Sequence, residues 1–122
     1  MGRRVLLIED EPNIIEALSF ILTRDGWTVH THSDGTTAAA RVRTGSPEVV
    51  VLDAMLPGRS GFDILRELRA DPSTAAVPVL MLTARGQERD RDLALRLGAT
   101  EFMTKPFANA EVLAEVRRLA GG

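Results

Sequence analysis

The chain has 122 residues with no cysteine, no tyrosine, two histidines and one tryptophan, and its 15 basic and 17 acidic side chains leave a formal net charge of −2. Without cysteine there is no disulfide framework, thiolate nucleophile or sulfur-ligated metal, and His30 and His32, close together in one stretch, give no basis for a histidine metal site or a Ser-His-Asp triad. The composition, 44% hydrophobic and 26% charged, suits one soluble globular domain; it lacks the basic excess of a nonspecific nucleic-acid binder and any apolar run near the ~20 residues that cross a bilayer. Arg3-Arg4 leads straight into a strand-like run, not a signal peptide, so a cytoplasmic domain using carboxylate, hydroxyl and amine chemistry is expected.

Val5-Leu6-Leu7-Ile8 is the first strand-like run. Ile14, Ile15, Leu18, Ile21 and Leu22 then mark one stripe of a helix that Pro12 opens and Gly26 closes. Val29-His30-Thr31 reads as a second strand, with both histidines on a strand face and Trp27 partly packed at the turn before it. An Ala-rich second helix is expected around Thr36 to Arg43, ending at Gly45. Val49-Val50-Val51-Leu52 is the third strand, and Ile64, Leu65 and Leu68 mark the third helix, with Pro57 to Gly61 turning into it and Ser60 as its cap. Val79-Leu80-Met81-Leu82 is the fourth strand. A less cleanly amphipathic fourth helix carries Leu93, Leu95 and Leu97, and Phe102-Met103 is a weak fifth strand. Val112, Leu113, Val116 and Leu119 mark the fifth helix, with Asn109 as its cap.

The first, third and fourth runs are continuously apolar, as strands buried on both faces of a parallel sheet require. Five strands alternating with five helices imply right-handed crossovers and a three-layer α/β/α, doubly wound, flavodoxin-like domain. In such a sheet ligands bind at the carboxyl ends of the strands. There the first strand delivers Glu9-Asp10-Glu11, the third Asp53, the fourth Thr83 and the fifth Lys105; the second supplies nothing comparable. Glu9, Asp10 and Asp53 crowded together repel, and Lys105 alone cannot neutralise three carboxylates. A hard divalent cation such as Mg²⁺ resolves that repulsion. A carboxylate beside Mg²⁺, an ammonium and a hydroxyl can hold a phosphoryl group, with Asp53 as the nucleophile. Glu11 reads as a helix N-terminal acid and not a ligand.

Leu7-Ile8-Glu9-Asp10-Glu11, Val51-Leu52-Asp53-Ala54-Met55-Leu56-Pro57-Gly58, Leu82-Thr83-Ala84-Arg85 and Thr104-Lys105-Pro106-Phe107, in that order and each at a strand end, resemble the receiver domain of a bacterial two-component response regulator. The resemblance covers residues 1–122 and implies a chemotaxis-regulator-like fold of five parallel strands in the order 2-1-3-4-5. It implies that Asp53 accepts phosphate from a sensor histidine kinase or a histidine phosphotransfer protein. Glu9, Asp10, Asp53 and the main-chain carbonyl of Met55 would hold Mg²⁺ (or Mn²⁺), and Lys105 and Thr83 would contact the phosphoryl oxygens. The family often has two aspartates where this chain has Glu9-Asp10, so the longer Glu9 is expected to reach the metal through water. The Lys105–Pro106 bond is expected to be cis. Thr83 and Phe102 would form the switch, and the fourth helix, fifth strand and fifth helix the signalling face.

Arg85 to Ala99 and Glu111 to Arg118 resemble the winged-helix transcription-factor subfamily, in which Arg91 and Glu111 fit a charged dimer pair. Glu101 opposite Glu115 would repel and count against the standard dimer. The resemblance also places Met55 and Arg85 where phosphoryl lifetime is tuned, and kinase specificity on Ser19, Leu22 and Thr23. It implies self-catalysed phosphorylation and dephosphorylation, not substrate turnover. A phosphorelay intermediate, or the N-terminal regulatory domain of a longer DNA-binding regulator, is the alternative, with a phosphorylation-dependent homodimer as one output. A small Asp-nucleophile phosphohydrolase is disfavoured, because Met55 stands near where such enzymes place a second aspartate and the length leaves no room for a cap.

Overall fold

The computed structural model describes residues 3–83 and 88–121. Its elements are β1 (Arg4–Ile8), α1 (Pro12–Arg24), β2 (Thr28–His32), a 3-10 turn (Gly35–Thr37), α2 (Ala38–Gly45), β3 (Val49–Asp53), α3 (Gly61–Ala70), β4 (Val79–Thr83), α4 (Glu88–Leu97), β5 (Glu101–Thr104) and α5 (Asn109–Leu119). The five strands form one sheet in the order β2-β1-β3-β4-β5, and each neighbouring pair is parallel. β3 and β4 are buried along their whole length, whereas β2 and β5 form half-exposed edges.

Strand alternation sends side chains to two separate cores. Leu6, Ile8, Val50, Leu52, Val79 and Met81 pack against α2, α3 and α4 through Val42, Ile64, Leu65, Leu68 and Ala94. Val5, Leu7, Val49, Val51, Leu80 and Leu82 pack against α1 and α5 through Leu18, Leu22, Val112 and Val116. The result is the expected three-layer α/β/α arrangement.

Local features differ from the sequence reading in four places. Thr36 belongs to the 3-10 turn ahead of α2, where Asp34 Oδ1 accepts from its N–H and its hydroxyl. The helix α4 seats on the sheet through Ala94, and Leu95 is 44% exposed, which accounts for its irregular stripe. At α5 the capping position is Ala108, not Asn109, and Glu111 Oε1 reaches back to accept the Ala108 N–H at 3.1 Å. Trp27 is fully packed: Arg3 lies over its ring at 4.6 Å and its Nε1 donates to Asp25 Oδ2. Arg117 also binds Asp25, tying the end of α5 to the end of α1 and holding that carboxyl below its ordinary range.

Ser60 caps α3 as expected, its hydroxyl accepting the Asp63 N–H at 3.2 Å. The following residue, Gly61, lies against the end of β3: a Cβ there would come within 2.8 Å of Ala54 Cα. Gly45 is a natural control, because a Cβ there would meet only Pro47 Cδ at 3.9 Å. Gly61→Ala is expected to lower the unfolding free energy by about 1–3 kcal/mol, whereas Gly45→Ala should leave it unchanged or raise it by up to ~1 kcal/mol. Urea unfolding curves of the two variants check this.

Candidate functional site

The carboxyl ends of β1, β3, β4 and β5 lie side by side. Continuing the alternation past Leu7, Val51 and Met103 puts Glu9, Asp53 and Lys105 on the α1/α5 side of the sheet. The same count past Met81 puts Thr83 on the α4 side. The backbone fixes this arrangement: the Glu9 N–H donates to His32 O, the Ala54 N–H to Leu82 O and the Lys105 N–H to Thr83 O at 3.0, 2.8 and 2.7 Å. The Lys105–Pro106 peptide is cis.

Glu9 and Asp53 are buried and Asp10 is exposed. Each of the three offers a carboxylate oxygen within 4.8 Å of the others. Lys105, the chain's one lysine among 14 arginines, reaches into this cluster. Its Nζ stands 3.4 Å from Asp53 Oδ1 and 3.5 Å from Glu9 Oε1, and it donates to Glu11 Oε1 at 2.9 Å. Asp53 Oδ1 also accepts the Met55 N–H at 3.2 Å, and the Met55 side chain projects into solvent at the rim. Glu9 Oε2 accepts the Glu11 N–H at 3.1 Å, while Glu9 Oε1 is buried without a hydrogen-bond partner. Thr83 is buried and its hydroxyl donates to Asp90 Oδ2 at 3.2 Å.

Residues 5–117 match the response regulator receiver domain family. The chain belongs to that family. It is 40% identical over 119 residues to the alkaline phosphatase synthesis transcriptional regulatory protein PhoP of Bacillus subtilis, a match that takes in 98% of this chain and 49% of that protein. The chain spans about half the length of the curated relatives it matches. Its fold follows the receiver domain of a sensor histidine kinase from Pseudomonas aeruginosa, whose structure has a magnesium ion coordinated in the active-site cleft, with a TM-score of 0.89 and 30% identity over the full length of both chains. A chemotaxis response regulator of Vibrio cholerae gives a TM-score of 0.89 at 27% identity, covering 98% of this chain and 99% of that one. Receiver domains signal through phosphorylation of an aspartate and are not substrate-turnover enzymes.

The donor set of this receiver fits a hard cation. Three carboxylates supply oxygen only, and a buried acceptor, Glu9 Oε1, faces the cluster with its hydrogen-bonding capacity unused. Burial first, and the Asp53 charge second, push the Glu9 carboxyl up to about 7. Burial works against the Lys105 ammonium as well, but the bond to Glu11 and the charges of Asp53 and Glu9 outweigh it and hold that group above its ordinary value.

Several roles differ from those read in the sequence. Glu11 precedes Pro12 at the capping position of α1 without making a side-chain cap bond, and its carboxylate goes instead to Lys105. Leu22 is core and cannot contact a kinase. Within one chain Glu101 and Glu115 do not stand as a bare repulsive pair: Arg118 bridges them at 2.8 and 2.6 Å. Arg85 lies outside the described residues. Phe102 is half-buried against the core of α2, α3 and α4, on the same sheet face as Thr83. Nothing in the sequence singled out Asp90, because its relation to Thr83 appears only once α4 is placed.

Glu9 has a direct consequence for stability. Between about 4.5 and about 7 the native state holds a proton on Glu9 that the unfolded chain has released, so stability falls as pH rises through that window. Asp25, Asp34, Glu67 and Asp71 are all held below their ordinary values of 3.8 to 4.5, so their contributions change at lower pH. The unfolding free energy of the metal-free protein is expected to drop by about 3 kcal/mol from pH 4.5 to pH 8. Glu9→Gln should flatten that slope. Urea titrations at stepped pH measure both, and parallel slopes for the two proteins would exclude Glu9 as the cause.

Proposed function

We propose that this receiver takes a phosphoryl group onto Asp53 from the phosphohistidine of a sensor histidine kinase or a histidine phosphotransfer protein. The observation that carries the reading is a buried carboxylate with an ammonium 3.4 Å away and two further carboxylates within 4.8 Å. An Asp53 oxygen attacks phosphorus, the phosphorus–nitrogen bond breaks, and the imidazole leaves with its electron pair and takes up a proton. Lys105 balances the charge on the phosphoryl oxygens, and the Thr83 hydroxyl supplies one hydrogen bond once it turns toward them. Mg²⁺, when held by Asp10, Asp53 and the Met55 carbonyl, neutralises the phosphoryl oxygens. Glu9 Oε1, which stands 3.5 Å from Lys105 Nζ and accepts no hydrogen bond, would be available to the metal's water shell.

Phe102 and Thr83 share the α4 side of the sheet, which supports Phe102 as the responding switch aromatic. Without a hydroxyl, its two positions would differ mainly in apolar burial. The output surface in this reading is α4, β5 and α5. In this reading residues 1–122 form one cytoplasmic receiver domain, and the half-length match to a transcriptional regulatory protein supports the alternative of a regulatory domain within a longer DNA-binding regulator. The kinase would meet Ser19 and Thr23 of α1, with Phe20, 63% exposed beside them, as an apolar contact.

Incubation with Mg²⁺ and acetyl phosphate is expected to add one phosphoryl group, read by intact mass, and Asp53→Asn should abolish it. Asp10→Asn should raise the Mg²⁺ needed for half-labelling by about tenfold or more. Lys105→Ala should slow labelling by about a hundredfold. Labelling that survives Asp53→Asn would falsify the assignment of the acceptor.

A further inference from the structure

Thr83 stands between the two strands that carry Asp53 and Lys105, with its main chain fixed on both sides. Leu82 O accepts the Ala54 N–H and Thr83 O accepts the Lys105 N–H. A change of hydrogen-bond partner therefore falls to rotation of the side chain and not to movement of the strand. The hydroxyl carries one proton and can serve one acceptor at a time. That acceptor is Asp90 Oδ2, 3.2 Å away on the third residue of α4. Asp90 is half-buried, so the bond is charge-assisted and partly shielded from water. It ties the end of β4 to the first turn of α4, on the side of the sheet opposite to Glu9, Asp53 and Lys105.

We infer that Asp90 is a positioning residue: it holds the Thr83 hydroxyl on the α4 side and competes with a phosphoryl group on Asp53 for the hydroxyl's single proton. The inference rests on the reading of Asp53 as phosphoacceptor. Phosphorylation then breaks the tie between β4 and α4, and the strength of that tie is subtracted from the affinity for the phosphoryl group. The coupling is reciprocal: whatever weakens the Thr83–Asp90 bond favours the phosphorylated arrangement.

Beryllofluoride with Mg²⁺ serves as a noncovalent phosphoryl mimic, its binding followed by thermal shift on the whole 122-residue chain. Asp90→Ala is expected to tighten binding by about tenfold, and Asp90→Asn, whose amide oxygen still accepts, by a smaller factor. In a Thr83→Val background Asp90→Ala should change nothing. Independently, in the metal-free protein, the Thr83 methyl resonance and its χ1-dependent couplings should shift in Asp90→Ala and shift less in Asp90→Asn.

Unchanged or weaker binding by Asp90→Ala, or equal tightening in the Thr83→Val background, overturns the inference. Should Thr83→Val bind too weakly to measure, the methyl signal decides, and a signal unmoved by Asp90→Ala overturns the tie. A wild-type chain that binds no beryllofluoride refutes the phosphoacceptor reading instead, and the methyl signal still tests the Thr83–Asp90 bond.

Discussion

Mutual repulsion among Glu9, Asp10 and Asp53 is the constraint from which the site follows. Two of the three carboxylates are buried, where charge is costly, and the single ammonium that enters the cluster is shared with Glu11 as well. The protein leaves this tension unresolved. One oxygen of Glu9 stays buried and accepts no hydrogen bond, and burial with the Asp53 charge pushes its carboxyl up to about 7. A structural role would have been served better by an apolar side chain of similar volume, since replacing buried charges in this way is often neutral or stabilising. The cluster is suited to a positive charge, at the edge where a parallel sheet presents its strand ends.

The choice of cation sharpens this. Every described salt bridge outside the site uses arginine, and the one lysine of the chain sits at position 105. Guanidinium groups suit the surface pairs, where a planar fork presents several donors in fixed directions to one or two carboxylates. The cleft between β1, β3 and β5 asks for something else: a compact charge whose donors radiate from one nitrogen toward several oxygens. Lys105 Nζ meets three carboxylates at 2.9 to 3.5 Å from that single atom.

The fold was legible in the sequence because burial on both faces writes an unambiguous pattern. Val49 to Leu52 and Val79 to Leu82 can be little other than central strands, and the acidic, hydroxyl and amine residues follow them at the ends where parallel sheets bind ligands. The helix that read least clearly, α4, rests on the sheet mainly through Ala94, and a small residue leaves little hydrophobic signal. The capping of α5 was misread because Asn109 has the better intrinsic preference, yet Glu111 satisfies the N-terminal backbone from inside the helix. Side-chain partners across elements were not legible. Glu11 with Lys105, Arg118 with Glu101, and Thr83 with Asp90 each join segments whose approach is a property of packing and not of sequence spacing.

Strand parity then separates two tasks within one small edge. Glu9, Asp53 and Lys105 point to the α1/α5 side, where charge is gathered; Thr83 and Phe102 point to the side covered by α4, which meets the core through Ala94 and Leu97. In the proposed reading a phosphoryl group on Asp53 is sensed through Thr83, a buried hydroxyl on the second face whose backbone borders the strands carrying Asp53 and Lys105. The central strands β3 and β4 are buried along their whole length, so the adjustment falls to a side chain and not to the sheet. In that reading the phosphoryl group changes which acceptor a single hydroxyl serves, and the element that loses its partner is α4, which meets the core through Ala94 and Leu97.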